Sequence, residues 1–154
     1  MLWVCRAGQK GCCFSKYVED KKIYIPWDGY RFDLSEYDSL DDFRPLVAKE
    51  KQTDNRTSIS NWSGQLYAFV CQMQVGDLVL IPTTSSRSYI FAKVTSDYQY
   101  HKEDTLCHSR SIEIIKDGIS KTAFSRGIQY SLGAYRTIFR PRYEEEIIST
   151  ILAL

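Results

Sequence analysis

Residues 58–82 read SISNWSGQLYAFVCQMQVGDLVLIP, and a helical pattern runs there directly into a strand pattern. Apolar residues recur at helical spacing, which predicts an amphipathic helix packed on a core: Trp62, Leu66, Phe69, Val70 and Met73. Gly76-Asp77 ends this helix, and the run from Leu78 to Ile81 predicts a buried strand. Asn61 and Gln65 are left near the start of the helix with polar tips that can make hydrogen bonds. The unit is typical of a small binding barrel rather than an enzyme.

The charge balance limits the partners that the chain can bind. The 154 residues suit one domain with its own core, and 20 basic residues against 19 acidic ones give a net charge of +1. Such a chain lacks the basic excess of a protein that coats nucleic acid indiscriminately, so any nucleic acid must meet a local patch. The segment 116–142 predicts a basic face, because Asp117 is its only acid beside several cations: Lys116, Lys121, Arg126, Arg136, Arg140 and Arg142.

The cysteine pattern indicates reduced thiols. None of the five cysteines forms a CxxC pair or half of a zinc site, so we expect a cytoplasmic protein with no bound metal and no cofactor. No apolar run approaches the roughly 20 residues needed to span a bilayer, so we expect a soluble protein without a membrane partner.

Short β-rich runs alternate with helical patterns along the chain. Strands are predicted at 2–5, 22–26, 78–81, 89–95, 111–115 and 135–139, in a mostly antiparallel sheet. Helices are predicted at 13–20, after a Ser39 cap with an interruption at Pro45, around Leu66, and after a Ser120 cap. Residues 1–142 form the predicted domain, and the apolar helix at 143–154 is a candidate linker to an effector domain.

Four short strings occur in an order that resembles a known group of domains. Residues 3–8 read WVCRAG, 23–27 read IYIPW, 61–66 read NWSGQL and 75–79 read VGDLV. Together they resemble the PUA-like superfamily, specifically EVE and YTH-type readers and the N-terminal domains of Mrr-type and McrB-type restriction proteins. The resemblance implies an α+β fold, a mostly antiparallel β-barrel with surrounding helices. It also implies recognition of a modified, methylated base that is flipped into a pocket with aromatic walls.

Three aromatic residues are candidates for the walls of that pocket. Trp27 follows a strand and precedes a turn, and YTH-type readers similarly carry a cage tryptophan after the second strand; the alternative is a tryptophan that caps the core. Trp62, expected in the first turn of its helix, either stacks on a ligand or packs with Leu66. Tyr89 either closes the pocket or is an ordinary strand residue.

Four polar residues are candidates for reading a base edge. Asp28 and Asp33 follow Trp27, and a carboxylate accepts hydrogen bonds from the exocyclic amine of cytosine or adenine. Loop aspartates otherwise cap turns or remain solvated. Asn61 and Gln65 offer donors and acceptors together, although Asn61 is also a candidate cap of its helix.

Six cations are candidates for contacts with a phosphate backbone, although surface charge is the usual explanation of any one of them: Arg6, Lys10, Arg87, Lys93, Arg110 and Arg126. A cluster of them on one face would favour binding over solvation.

Catalytic patterns are weak in this chain. The only histidines are His101 and His108, and the adjacent side chains of Cys107 and His108 point in different directions on any regular element. No Walker-type loop or HExxH string is present. We therefore expect no enzymatic activity in this chain.

The leading hypothesis is a DNA-binding specificity module of a restriction or defence system that detects a modified base and signals to a nuclease or NTPase effector on another domain or subunit. One alternative is a reader of modified RNA with the same fold. A second alternative is a small-molecule or protein-interaction domain, which the near-neutral charge favours.

Overall fold

The computed structural model describes residues 1–154, which form seven strands and five α-helices. The strands are β1 (Leu2–Cys5), β2 (Lys22–Tyr24), β3 (Leu78–Pro82), β4 (Ser88–Val94), β5 (Gln99–Tyr100), β6 (His108–Ser120) and β7 (Ile138–Phe139). The helices are α1 (Phe14–Asp20), α2 (Leu40–Lys51), α3 (Arg56–Tyr67), α4 (Arg126–Leu132) and α5 (Glu144–Leu152). A π-helical turn, Ala68–Gln72, extends α3.

The strands form one mixed sheet in the order β2-β6-β4-β3-β1-β7, with β5 also paired to β6. Only β1 and β3 run parallel, and the other pairs are antiparallel, as predicted. The long strand β6 pairs with β2 and β5 in its first half and with β4 in its second half, and the sheet curls into a half-barrel. The predicted α+β class is confirmed, but β2 and β7 do not pair, so the sheet is not the closed barrel that was expected.

Both faces of the sheet are buried, and each supports its own core. In β1, Trp3 and Cys5 point into a larger cluster, while Leu2 and Val4 point into a smaller one. The larger cluster includes side chains of α1, α2 and α3, and the smaller one includes side chains of α4 and α5. The sheet therefore lies between two helical layers, and the alternation along a strand decides which layer a side chain meets.

The C-terminal helix is part of this packing. Ile147 and Ile151 of α5 are fully buried in the smaller cluster. Residues 143–154, expected as a linker, thus pack on the sheet of the predicted domain. An effector domain beyond them stays a prediction. None of the helices combines the length and the hydropathy that crossing a membrane requires.

Two helix starts differ from the sequence-based expectation. The Ser58 amide donates to Asn55 Oδ1 (3.0 Å), so Asn55 caps α3 and places Asn61 and Trp62 in its second turn rather than at its start. Ser120 caps a short 3-10 helix, Lys121–Ala123, and Ser125 caps α4. Ser39 caps α2 as expected, but that helix continues through Pro45 without a break.

Arg110 stabilises the end of the α3 segment from inside the core. Its side chain is 3% exposed and donates to the carbonyls of Phe69 (2.8 Å), Val70 (3.1 Å) and Ser96 (3.2 Å). Burial lowers the pKa of this guanidinium. The Phe69 and Val70 carbonyls belong to the last turn of the α3 segment, where helical donors run out, so Arg110 supplies donors there. The phosphate contact expected of Arg110 is therefore not available, because its guanidinium does not face solvent.

His108 is enclosed at the start of β6 between two fixed partners. Its Nε2 lies 2.5 Å from the carbonyl oxygen of Tyr30, and its Nδ1 lies 2.5 Å from the hydroxyl of Tyr98. A carbonyl only accepts, so Nε2 carries the proton and Nδ1 accepts from Tyr98. Burial lowers the pKa of His108 below its usual range. The neutral ring is thus the form that fits the fold.

This burial predicts a pH-dependent loss of stability. The pKa of His108 is lower in the folded chain than in the unfolded one, so its contribution is complete above about pH 6.5 and is lost progressively below it. We expect the urea midpoint of the parent to fall between about pH 7.5 and pH 5, and that of a His108→Gln variant to fall less. The exposed His101 provides the control, His101→Gln, which should follow the parent. Equal pH slopes for the parent and His108→Gln would contradict this account.

Candidate functional site

An open groove of about 700 Å³ lies along α3, between that helix and the segment that carries β7. The helical side of the groove is a row of residues spaced four apart: Arg56, Ser60, Gly64, Ala68 and Gln72. The groove stays open because the three middle side chains are small. Thr57, Asn61 and Gln65 flank this row, and Trp3 and residues 136–140 complete the lining except for Thr137. A Cβ added to Gly64 would meet no atom within 4 Å, so the helix surface is open at this position.

The groove is positively charged. Arg56, Arg136 and Arg140 line it, and no acidic residue does. Arg140 pairs with Glu144 at 3.2 Å, whereas neither Arg56 nor Arg136 lies within ion-pair distance of a carboxylate. Two guanidinium groups without a counter-charge raise the local potential and favour an anionic ligand, although the whole chain is nearly neutral.

The Gln65 side chain fixes the width of the groove. It is 5% exposed, and its Oε1 accepts from the amides of Thr137 (2.9 Å) and Ile138 (3.0 Å). Its Nε2 donates to Asn61 Oδ1 at 3.3 Å. Gln65 therefore holds β7 against α3 and is not free to read a base, whereas Asn61 keeps both Nδ2 hydrogens available in the groove.

The pocket hypothesis requires Trp27 and Trp62 to lie close together. They do, but the two rings pack on each other. Their ring centroids are 4.6 Å apart at an interplanar angle of 79°. Trp27 Nε1 donates to Thr137 Oγ1 at 3.4 Å, and the Lys51 ammonium lies 3.8 Å from the Trp62 ring centroid. The edge-to-face contact leaves no gap for a base between the rings, so a base could enter only after the two side chains separate.

The other three pocket candidates have different surroundings. Asp28 is exposed next to Trp27 and lines a small cavity of about 50 Å³. Asp33 accepts from the Ser35 amide at 2.9 Å and stabilises a turn. Tyr89 is buried in the smaller cluster, 6.1 Å from the Phe124 ring, and thus lies on the opposite face of the sheet from the tryptophans. The expected role of Tyr89 as a pocket wall does not fit this placement.

The expected backbone-binding cations lie outside the groove. Lys10, Arg87, Lys93 and Arg126 are exposed, and none of them lines it. Arg6 donates to the carbonyls of Leu132 (3.0 Å), Ala134 (3.2 Å) and Arg136 (3.0 Å), so its charge is used inside the fold.

The arginines that do line the groove were not among the candidate residues. The acid-poor segment 116–142 contained the signal for Arg136 and Arg140, which are the two cations beside β7. The signal for Arg56 was weaker. Ser60, Gly64 and Ala68 follow it at four-residue spacing, and a row of small side chains predicts an open helix face with Arg56 at its start.

Cys107 and His108, the two residues considered for catalysis, are both buried. No three His, Cys, Asp or Glu side chains are placed to hold a metal ion. His108 is enclosed by Tyr30 and Tyr98, and burial raises the pKa of the neighbouring Cys107 thiol.

Comparisons with known proteins place the chain in a family without assigning an activity. No curated protein and no solved structure matches the chain. The model of the family described as "Domain of unknown function (DUF8426)" matches residues 3–132, from β1 to the end of α4, and the chain therefore belongs to that family.

Proposed function

We propose that this domain binds DNA through the groove along α3 and recognises a modified base there. The observation that carries the proposal is the composition of the groove, where three arginines and no acid line one continuous cavity. Guanidinium groups match phosphate oxygens with paired hydrogen bonds, so this lining suits a phosphodiester backbone better than it suits an apolar or cationic ligand.

The groove also has the size and the polar groups to hold a nucleotide. Its volume of about 700 Å³ lies inside the range of roughly 300 to 1,000 Å³ that is typical of small-molecule sites. Asn61 offers two Nδ2 hydrogens, which can donate to a ring nitrogen or a carbonyl oxygen of a base. Trp27 and Trp62 do not line the groove, but Trp27 contacts Thr137, and the pair provides aromatic surface if its edge-to-face contact opens.

The resemblance to EVE and YTH-type readers supports the choice of a modified base. In this proposal the chain has a PUA-like architecture, performs no catalysis and reports to a nuclease or NTPase effector of a restriction system. The half-barrel between two helical layers is compatible with that architecture. An RNA reader would use the same guanidinium and amide chemistry, so the binding experiment includes RNA.

Binding to matched duplexes tests the proposal. The duplexes are otherwise identical and carry cytosine, 5-methylcytosine, 5-hydroxymethylcytosine, adenine or N6-methyladenine at one central position. We expect one modified duplex to bind at least about tenfold more tightly than its unmodified counterpart, a difference of about 1.4 kcal/mol. Equal affinities would contradict base recognition. Tighter binding of a matched RNA would assign the groove to RNA, and no binding at fixed moderate salt would overturn the proposal.

Blocking the groove without disturbing the fold gives a second test. Gly64 is helical, and its missing side chain would point into open space, so Gly64→Leu should fill the groove and leave the fold at least as stable. We expect this variant to lose most of its DNA affinity in the same titration.

The matched control uses the other helical glycine with open surroundings. Gly127 lies in α4, in the layer that covers the other face of the sheet, and an added Cβ there also meets no atom within 4 Å. Gly127→Leu should bind like the parent. Parental affinity of Gly64→Leu, with both variants folded, would exclude the groove as the binding site.

A further inference from the structure

We propose that Tyr135 stacks on a nucleobase beside the groove, an inference that rests on the DNA-binding function proposed above. Tyr135 has a relative exposure of 103%, so its ring has no packing partner in the fold. It directly precedes Arg136, which lines the groove and has no ion-pair partner. A fully exposed aromatic ring next to an unpaired guanidinium matches the two elements of a single-strand binding surface, a stacking platform and a cation.

The backbone on either side of Tyr135 is held by Arg6. The Arg6 guanidinium binds the carbonyls of Leu132 and Ala134, which precede Tyr135, and that of Arg136, which follows it. The Arg6 amide also donates to the Thr137 carbonyl at 2.8 Å. Arg6, the residue that follows β1, thus makes four hydrogen bonds to the segment that presents the ring.

The same segment is anchored to the groove from its other end. Gln65 accepts from the amides of Thr137 and Ile138, and the Thr137 hydroxyl accepts from Trp27. The loop is therefore tied to β1, to α3 and to the Trp27 turn, while the Tyr135 side chain touches none of them. Because the backbone is already ordered and tyrosine has few rotatable bonds, stacking on this ring costs little conformational entropy.

The charges around Tyr135 favour a nucleobase over an apolar protein surface. No acidic residue occurs in the sequence from 118 to 143, and three arginines occur in the seven residues that follow Tyr135: Arg136, Arg140 and Arg142. An apolar partner would have to remove water from these guanidinium groups without compensation. A nucleotide offers a π face to the ring and phosphate oxygens to the cations at the same time.

This arrangement has a consequence for the form of DNA that binds. A base inside a duplex has both faces covered by its neighbours, so it can stack on Tyr135 only when it is extruded or single-stranded. We therefore expect unpaired DNA, or a duplex with a mismatch at the recognised position, to bind more tightly than a fully paired duplex.

The experiment compares four proteins on one single-stranded probe of ~12 nucleotides that contains 2-aminopurine, a length within the range that single-strand binding domains cover. The proteins are the parent, Tyr135→Ala, Tyr135→Phe and Tyr130→Ala. Tyr130 is the matched control, because it is 89% exposed but lies on α4, in the other helical layer. We expect Tyr135→Ala to weaken binding about 5- to 150-fold and to lose the quenching of 2-aminopurine fluorescence.

The remaining variants separate stacking from general effects. Tyr135→Phe should keep both affinity and quenching, since stacking needs the ring and not the hydroxyl, and Tyr130→Ala should behave like the parent. Equal urea midpoints are expected for all four, because neither tyrosine is buried. If the parent binds DNA and Tyr135→Ala binds and quenches equally well, the stacking role is wrong while the DNA-binding function stands. If the parent does not bind DNA, both proposals are wrong.

Discussion

The groove depends on one buried carboxamide. Gln65 Oε1 accepts from two successive amides, Thr137 and Ile138, at the sheet edge formed by β7. These amides are at the free edge of the sheet, and leaving a buried donor without a partner costs about 1 to 3 kcal/mol. The bond pair closes the edge and sets the distance between α3 and the arginines on either side of β7, Arg136 and Arg140. Both walls of the groove are therefore fixed by the same side chain.

Four arginines of this chain show two kinds of surroundings. Arg6 and Arg110 donate to main-chain carbonyls and so stabilise a loop and the end of a helix. Arg56 and Arg136 have neither a carbonyl nor a carboxylate within reach and face the groove. A cation that satisfies no internal acceptor adds nothing evident to folding, so these two side chains are available to a ligand. The local charge of the groove, and not the net charge of the chain, therefore supports the proposed function.

Several features were predictable because they depend on local patterns. The span of β1, the Ser39 cap and the α+β class follow from residues close in sequence. The roles that needed distant partners were not predictable. Gln65 binds amides 72 and 73 residues away, and Arg110 binds carbonyls about 40 residues away. Tyr89 was ambiguous because strand periodicity assigns it to a face but both faces of this sheet are buried.

The salt dependence of DNA binding tests the central claim, that the arginines lining the groove contact phosphates. If all three groove arginines do so, the logarithm of the parent's binding constant should fall with the logarithm of salt concentration with a slope of about −2.7. For the double variant Arg56→Ala/Arg136→Ala the slope should become about −1, while Arg44→Ala, which removes a cation paired with Asp41 on α2, should keep the parental slope. The same slope for the parent and the double variant would contradict the account, because the phosphates would then be bound elsewhere.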